Sequence, residues 1–281
     1  MTDASSQEQK ANDFLALHHA PAPFILPNVW DVASAMIFER EGFTAIGTTS
    51  AGIAAVLGYA DGQKMSLADN LLMVQRVSDS TSLPVSADIE SGYASSIEGV
   101  AKSAQAVLNA GAVGLNIEDG TGDLRAPLFD TALQQEKIGA IREISIANKI
   151  HLVINARTDT YLVFDDVEKN LHDAIERGNS YREAGADSVF VPDIGNLDRH
   201  AIAILVKEID APINIIAGAT TPSVPELRDL GVSRVSVGPR PMRAVLSQLR
   251  KIAKELNTTG TYELMADSSI SYAEVNGWFE K

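Results

Sequence analysis

Eight short, near-continuously apolar runs, each followed by a helical pattern, predict an α/β protein: a single (β/α)8 TIM barrel with an extra C-terminal helical segment. Three observations carry that reading. The runs do not alternate apolar with polar, as expected of parallel strands covered on both faces. They recur about every 30 residues, against roughly 31 per unit in an eight-fold barrel of 250 residues. A glycine closes several of the helical patterns just before the next run, where a left-handed helix cap is wanted.

The first strand is expected at Phe24–Leu26, followed by the turn Pro27-Asn-Val-Trp-Asp31. That turn has no glycine, which argues against the alternative of a doubly wound open sheet with a Gly-rich first loop. Gly42 precedes the second strand, Ala45–Thr48, and the third follows at Val85–Asp88. Next, Ile97, Val100, Ala101, Ala104, Val107 and Leu108 form one helical stripe, with Ser95-x-x-Glu98 at capping-box spacing before it. Gly111 then leads into Val113–Glu118, and the fifth strand is Leu152–Ala156. Gly185 precedes Ser188–Val191, Ile213–Ile216 is the seventh strand, and Ser223-x-x-Glu226 repeats the capping-box spacing. Gly231 precedes the last strand, Arg234–Val237. An eighth helix over about Arg243–Leu256 completes a core spanning about residues 22–256 of one domain, 1–281. The remainder, 257–281, contains Tyr262–Met265 and Ser269–Phe279 and packs either on the barrel's own flank or against another subunit.

Composition narrows the function. Hydrophobic residues make up 45% of the 281 and charged residues 21%, so the whole chain is neither disordered nor a coiled coil. With no cysteine, disulfide frameworks, thiolate zinc sites and cysteine nucleophiles are excluded. A net charge of −14 argues against nucleic acid or anionic membranes as partners. The densest basic cluster, Arg234 to Arg250, is diluted by apolar residues. Met1–Asn12 has no apolar run and does not read as a signal peptide. The uncharged stretch Phe43–Ala60 carries three glycines and a Thr48-Thr49-Ser50 cluster, so it does not read as a membrane helix. A cytoplasmic location is expected.

Barrel enzymes place chemistry at the C-terminal strand ends. Here the third strand ends in Asp88-Ile-Glu90, the fourth in Glu118-Asp119 and the fifth in Arg157-Thr-Asp159. Clustered carboxylates repel one another, and a divalent cation relieves the repulsion. Oxygen ligands without cysteine or a strand-end histidine point to Mg²⁺, with Mn²⁺ as the substitute. The second strand ends in Gly47-Thr-Thr-Ser-Ala-Gly52, small residues whose N–H groups suit a ligand carboxylate. No lysine falls on a strand, which speaks against a Schiff-base aldolase.

Taken in order, these segments resemble the isocitrate lyase and phosphoenolpyruvate mutase superfamily. The resemblance runs through Asn28-Val-Trp-Asp-Val-Ala-Ser-Ala35, Thr49-Ser-Ala51, Asp61, Ala87-Asp-Ile-Glu-Ser-Gly-Tyr93, Ile117-Glu-Asp119 and Ala156-Arg-Thr-Asp159. It implies Mg²⁺ held directly by Asp88, with Asp61, Glu90 and Glu118 acting mostly through waters. It implies a small 2-oxo acid or related carboxylate as substrate, and an enolate intermediate stabilised by Arg157. Asp61, Glu118 and Arg157 are the expected catalytic groups. The N–H groups of Ser50 and Ala51 would hold the substrate carboxylate beside Thr49, with Trp30, Asp88 and Asn214 near the ligand. A homo-oligomer, dimer or tetramer, is implied as well. One departure is prominent: the lyases carry a cysteine in the loop after the fourth strand, and here Gly120–Phe129 has none. The Lys and Asn-Ser pair of the mutases are also missing from that loop. With two glycines and a proline it is expected to act as a mobile lid, and Arg125, its one cation, would meet a distal substrate charge. The expected activity is therefore Mg²⁺-dependent cleavage of a C–C bond. A phosphonopyruvate-type C–P enzyme and a catalytically degenerate binding barrel are the alternatives.

Overall fold

A computed structural model of the protein describes residues 4–192, 195, 197–266 and 270–280. The chain forms two units, Met1–Gly238 and Pro239–Lys281.

The first unit runs α1 (Ala4–His18), β1 (Phe24–Leu26), β2 (Asn28–Val29), α2 (Val32–Arg40), β3 (Ile46–Thr48), α3 (Ser50–Leu57) and α4 (Leu67–Ser80). It continues with β4 (Val85–Asp88), α5 (Ile97–Asn109), β5 (Gly114–Glu118), α6 (Thr131–Asn148), β6 (Val153–Arg157), α7 (Thr160–Val163) and α8 (Val167–Glu183). β7 (Ser188–Val191), α9 (Arg199–Glu208), β8 (Ile213–Ile216), α10 (Val224–Asp229) and β9 (Arg234–Ser236) complete it. All pairings are parallel, in the order β1-β9-β8-β7-β6-β5-β4-β3-β2. β1 and β2 are two halves of one barrel strand. Pro27, which has no N–H, separates them, so β1 pairs with β9 on one side and β2 with β3 on the other. Every one of the eight expected runs is a strand.

Asn28 stitches this seam. Its side-chain oxygen accepts from the N–H groups of Val237 and Gly238 at 3.0 and 2.8 Å, and its amide donates to the Thr48 carbonyl at 3.0 Å. Two apolar clusters fill the space between strands and helices, one around Leu115, Ile117 and Ile154, the other around Val189, Ile213 and Val235. A third closes the barrel floor, where Ala11 and Phe14 of α1 meet Phe24, Leu26, Val113 and Val153. α1 has no counterpart among the expected elements. Its buried face is Gln7, Ala11, Phe14 and His18, a helical spacing of three and four residues hidden in a polar sequence.

Gly42, Gly111, Gly185 and Gly231 hold φ of +83°, +85°, +110° and +87°, as their places at helix ends require. The Ser223–Glu226 capping box is present. The one proposed at Ser95 is not: α5 starts at Ile97, and it is Ser96 whose hydroxyl accepts from Gly99 N–H at 3.1 Å. Two adjacent serines left the helix start ambiguous by one residue.

The second unit holds α11 (Arg240–Thr258), α12 (Glu263–Ala266) and α13 (Tyr272–Gly277). α11 is longer at both ends than the sequence pattern suggests. Ser269, at the start of the expected last segment, lies outside the described residues. Met242 is the one buried residue of α11, while Val245, Leu246 and Leu249 are each about half exposed. Among the described residues no helix is long and apolar enough to cross a membrane.

Candidate active site

The acids cluster at the strand ends by three separate devices. Asp88, last residue of β4, is buried, and its Oδ2 accepts from both the N–H and the hydroxyl of Ser50 at 3.1 and 2.8 Å. Its own N–H donates to Thr48 Oγ1 at 2.9 Å, and its carbonyl accepts from Asn70 at 2.9 Å. Its other carboxylate oxygen, Oδ1, is buried with no hydrogen-bond partner among the described residues.

Glu90 sits two residues on, in a left-handed conformation (φ +50°) that a side chain rarely adopts. Gln63 and Tyr93 hold it there: Glu90 Oε2 accepts from Gln63 N–H at 2.6 Å and Oε1 from Tyr93 Oη at 2.7 Å. Gln63 Oε1 in turn accepts from Tyr93 N–H at 2.9 Å.

The third device is an ion-pair chain. Arg157 Nη1 lies 2.6 Å from Glu118 Oε2, while Nε and Nη2 fork onto Asp159 at 2.5 and 3.1 Å. Burial works against the Arg157 charge, but Glu118 and then Asp159 outweigh it and hold the guanidinium above its ordinary value. Asp159 is fixed in its turn, since its N–H donates to Asp119 Oδ1 at 2.8 Å. Asp119 faces away from the mouth, fully buried against Tyr181 Oη (2.6 Å) and Arg177 Nη1 (3.0 Å). It is a structural anchor, not a member of the acid cluster suggested by the strand-end pattern. The period-two pleat that turns Glu118 inward turns its neighbour outward.

The remaining expected residues divide. Asp61 is solvent-exposed as a residue, yet partial burial of its carboxyl raises it above the usual range, with Asp88 adding and Arg157 opposing. Trp30 is half-buried and packs so closely on Gly52 that a Cβ there would lie 2.8 Å from the Trp30 Cβ. Thr49 caps α3, and Ala51 lies in its first turn. Ser50 N–H, expected to meet a substrate carboxylate, is spent on Asp88 instead. Asn214 is fully buried inside β8, and Arg125 lies exposed in the loop after β5, paired with Asp123. That loop braces itself through a Gly120–Leu128 bridge and Thr121 N–H to the Pro127 carbonyl at 2.9 Å, with Leu124 bare at its tip. Sequence reasoning missed Asp159 as the Arg157 clamp, although the i, i+2 spacing of Arg157 and Asp159 on one strand end was available. It also missed Gln63 and Thr48, whose contacts cross between distant segments.

Residues 14–257 match the family model described as phosphoenolpyruvate phosphomutase. The chain belongs to this family. It lies within the isocitrate lyase/phosphoenolpyruvate mutase superfamily that the sequence resembles. An uncharacterized protein of Mycobacterium tuberculosis is 37% identical over 235 residues, 83% of this chain and 84% of its own. The 2-methylisocitrate lyase of Escherichia coli is 30% identical over 241 residues, 83% of this chain and 80% of that enzyme. A crystal structure of a Burkholderia cenocepacia protein superposes with a TM-score of 0.91 at 34% identity, covering 99% of this chain and 98% of the other.

The metal expected for this phosphomutase-family barrel fits the residues present. The unpartnered buried Oδ1 of Asp88 is a free anionic oxygen of the kind Mg²⁺ takes. Among the described residues no three His, Cys, Asp or Glu side chains converge as a ready cage. A cation that keeps several waters and one or two carboxylates suits that arrangement better than one needing an all-protein shell.

Burial first, then Asp88, pushes the Glu90 carboxyl up to about 7, against the opposing hydrogen bond from Tyr93. The folded metal-free protein therefore binds this proton more tightly than the unfolded chain does, and stability falls as pH rises from about 4.5 to about 7. Glu118 and Asp61 are raised as well and act in the same direction. Glu90→Gln is expected to flatten that slope in melting temperatures measured without metal. An unchanged slope would place the titration elsewhere.

Proposed function

We propose that the chain is a Mg²⁺-dependent lyase or hydrolase that cleaves a C–C bond of a small 2-oxo acid, oxaloacetate-like in size, through an enolate. One observation carries the reading: a guanidinium, 21% exposed, locked between Glu118 and Asp159, within electrostatic reach of an acid with a free buried oxygen. Asp88 would hold the metal, with Asp61, Glu90 and Glu118 reaching it through water. When bound, Mg²⁺ supplies Lewis-acid polarisation of substrate carbonyl and carboxylate oxygens.

This chain's own residues do the rest. Arg157 presents a fixed positive charge to the oxygen on which negative charge develops, and because it is pre-clamped it needs no reorganisation as the bond breaks. Ser50 holds Asp88, so the Ala51 N–H in the first turn of α3 is left to meet the substrate carboxylate. The loop 120–129 screens the mouth without contributing a cysteine acid, which separates this chain from the 2-methylisocitrate lyase pattern.

Oxalate, a mimic of the enolate, tests the site. With Mg²⁺ present and oxalate at 100 times its Kd, about 2.7 kcal/mol of stabilisation is expected, a melting shift of several degrees. Without Mg²⁺ the shift should vanish. Incubation with oxaloacetate should then consume it, and phosphonopyruvate should release no phosphate. A shift indifferent to Mg²⁺, or phosphate release without oxo-acid turnover, would overturn the proposal.

Assembly with further copies of the chain belongs to the same reading. Val245, Leu246 and Leu249 leave an apolar stripe open along α11, larger than scattered surface apolar residues would make. A dimer or tetramer is expected in light scattering, and Val245→Asp with Leu249→Asp should shift it to smaller species. A monomeric wild type would refute this assembly.

A further inference from the structure

The interior of a β/α barrel is usually filled by branched aliphatic side chains. This one is not. On β5 and β8 the residues that join the strand–helix clusters are Leu115 and Ile117, and Ile213 and Ile215. The pleat therefore turns their alternates inward, and across the strands these are Ser86, Asn116, Asn155, Ser188, Asn214 and Arg234, all buried. They form a polar layer between the apolar floor and the acidic mouth.

Part of the layer satisfies itself. Asn155 Nδ2 donates to Asn116 Oδ1 at 2.8 Å, Ser188 Oγ to Asn155 Oδ1 at 2.5 Å, and Arg234 Nη2 to Asn116 Oδ1 at 3.3 Å. The other side does not. Arg234 is 1% exposed, and among the described residues its Nε and Nη1 have no acceptor. Asn214, its partner in register, is 0% exposed, with both amide atoms unpartnered among the described residues. The hydroxyls of Ser86 and Ser236 are unpartnered among the described residues too.

The charge is no better compensated than the hydrogen bonds. Among the described residues no carboxylate forms an ion pair with Arg234. Asp88 acts on it through space, and Phe14 places a ring 5.9 Å from the guanidinium carbon. Burial pulls this guanidinium down to about 9, which still leaves it charged at neutral pH. His18, buried nearby, is held neutral, first by burial and then by Arg234, so it adds no second positive charge. A buried charge with neither partner nor full hydrogen bonding is strongly unfavourable.

Water does not answer this need well. It can bond the open N–H groups, Asn214 Oδ1 and the two hydroxyls, but it carries no charge to set against the guanidinium. An anion supplies that charge and accepts from the N–H and hydroxyl donors. We propose that a chloride-sized monovalent anion occupies the barrel interior between Arg234 and Asn214, as a fixed counter-ion separate from the substrate site. Its role is to complete the barrel core, and it stands whether or not the mouth performs the chemistry proposed above.

Crystals grown in sodium bromide, measured at the bromine edge, test it directly. An anomalous peak is expected within hydrogen-bond distance of Arg234 Nε or Nη1 and Asn214 Nδ2. Density for water alone there would overturn the proposal. In solution at fixed ionic strength, chloride and bromide should raise the melting temperature by several degrees over gluconate, and Arg234→Met should abolish that difference. If Arg234→Met does not fold, Asn214→Leu keeps the charge, removes one donor, and should weaken the halide response. Equal melting in all three salts would overturn the site, as would displacement of the bromide by oxalate without Mg²⁺, which would make it a carboxylate site.

Discussion

Asp88→Asn is expected to lower kcat/KM on the preferred oxo acid by on the order of 10³-fold while leaving the barrel folded, because several kcal/mol of Lewis-acid assistance is lost. The geometry explains both halves. The Oδ2 side of Asp88 accepts from Ser50 N–H and Oγ, and an asparagine oxygen can accept the same two bonds. The opposite atom is the unpartnered Oδ1, and the substitution puts an N–H₂ donor there in place of an anionic oxygen. A cation then meets a donor. Steady-state rates across a Mg²⁺ titration, with circular dichroism to verify folding, give the answer. Activity within tenfold of wild type would show that Asp88 does not hold the metal.

Arg157→Met should be costly twice. Loss of the charge aimed at the developing oxyanion should lower kcat by about 10²–10³-fold. Glu118 and Asp159 would then be left as carboxylates in a buried setting without their cation, a loss of about 3–5 kcal/mol in stability. The two effects separate in a double variant. Adding Glu118→Gln removes one stranded charge and should recover part of the stability, measured by urea unfolding, but none of the activity. Arg157→Lys keeps the charge but cannot bridge two carboxylates at once, so it should sit between wild type and Arg157→Met in both readouts. If Arg157→Met unfolds at wild-type denaturant concentrations, Glu118 and Asp159 are being neutralised by protonation instead.

How far the sequence reveals this molecule depends on what kind of contact fixes each part. The strands were readable because each is covered on both faces, which leaves a largely apolar run such as Phe24–Leu26 or Ser188–Val191. The helix ends were readable because left-handed caps select glycine. α1 was not, because a helix that buries one narrow stripe in a polar stretch resembles solvated chain. At the site, residue types and strand ends were legible, but orientation was not. Glu118 and Asp119 are neighbours in sequence, and only the pleat sends one to Arg157 and the other to Tyr181. Ser50 and Asp88 are 38 residues apart, and nothing local announces that one spends its N–H on the other. Arg234 misled most: grouped by sequence with the arginines of α11, it is a core residue, set inward by its place on β9.

The split first strand has a kinetic meaning. The ring closes when β1 meets β9 and Asn28 reaches Val237 and Gly238, partners 209 and 210 residues away along the chain. Loop-closure entropy for such a span is about 5 kcal/mol, against about 3 kcal/mol for a neighbouring pair of strands, so the seam is the dearest contact to form and belongs late on the folding path. Until it forms, the growing sheet presents two unpaired edges, the feature most prone to pairing with another chain. The yield of folded protein should therefore be decided at residues 24–29 and 234–238, remote in sequence from the acids proposed to hold the metal.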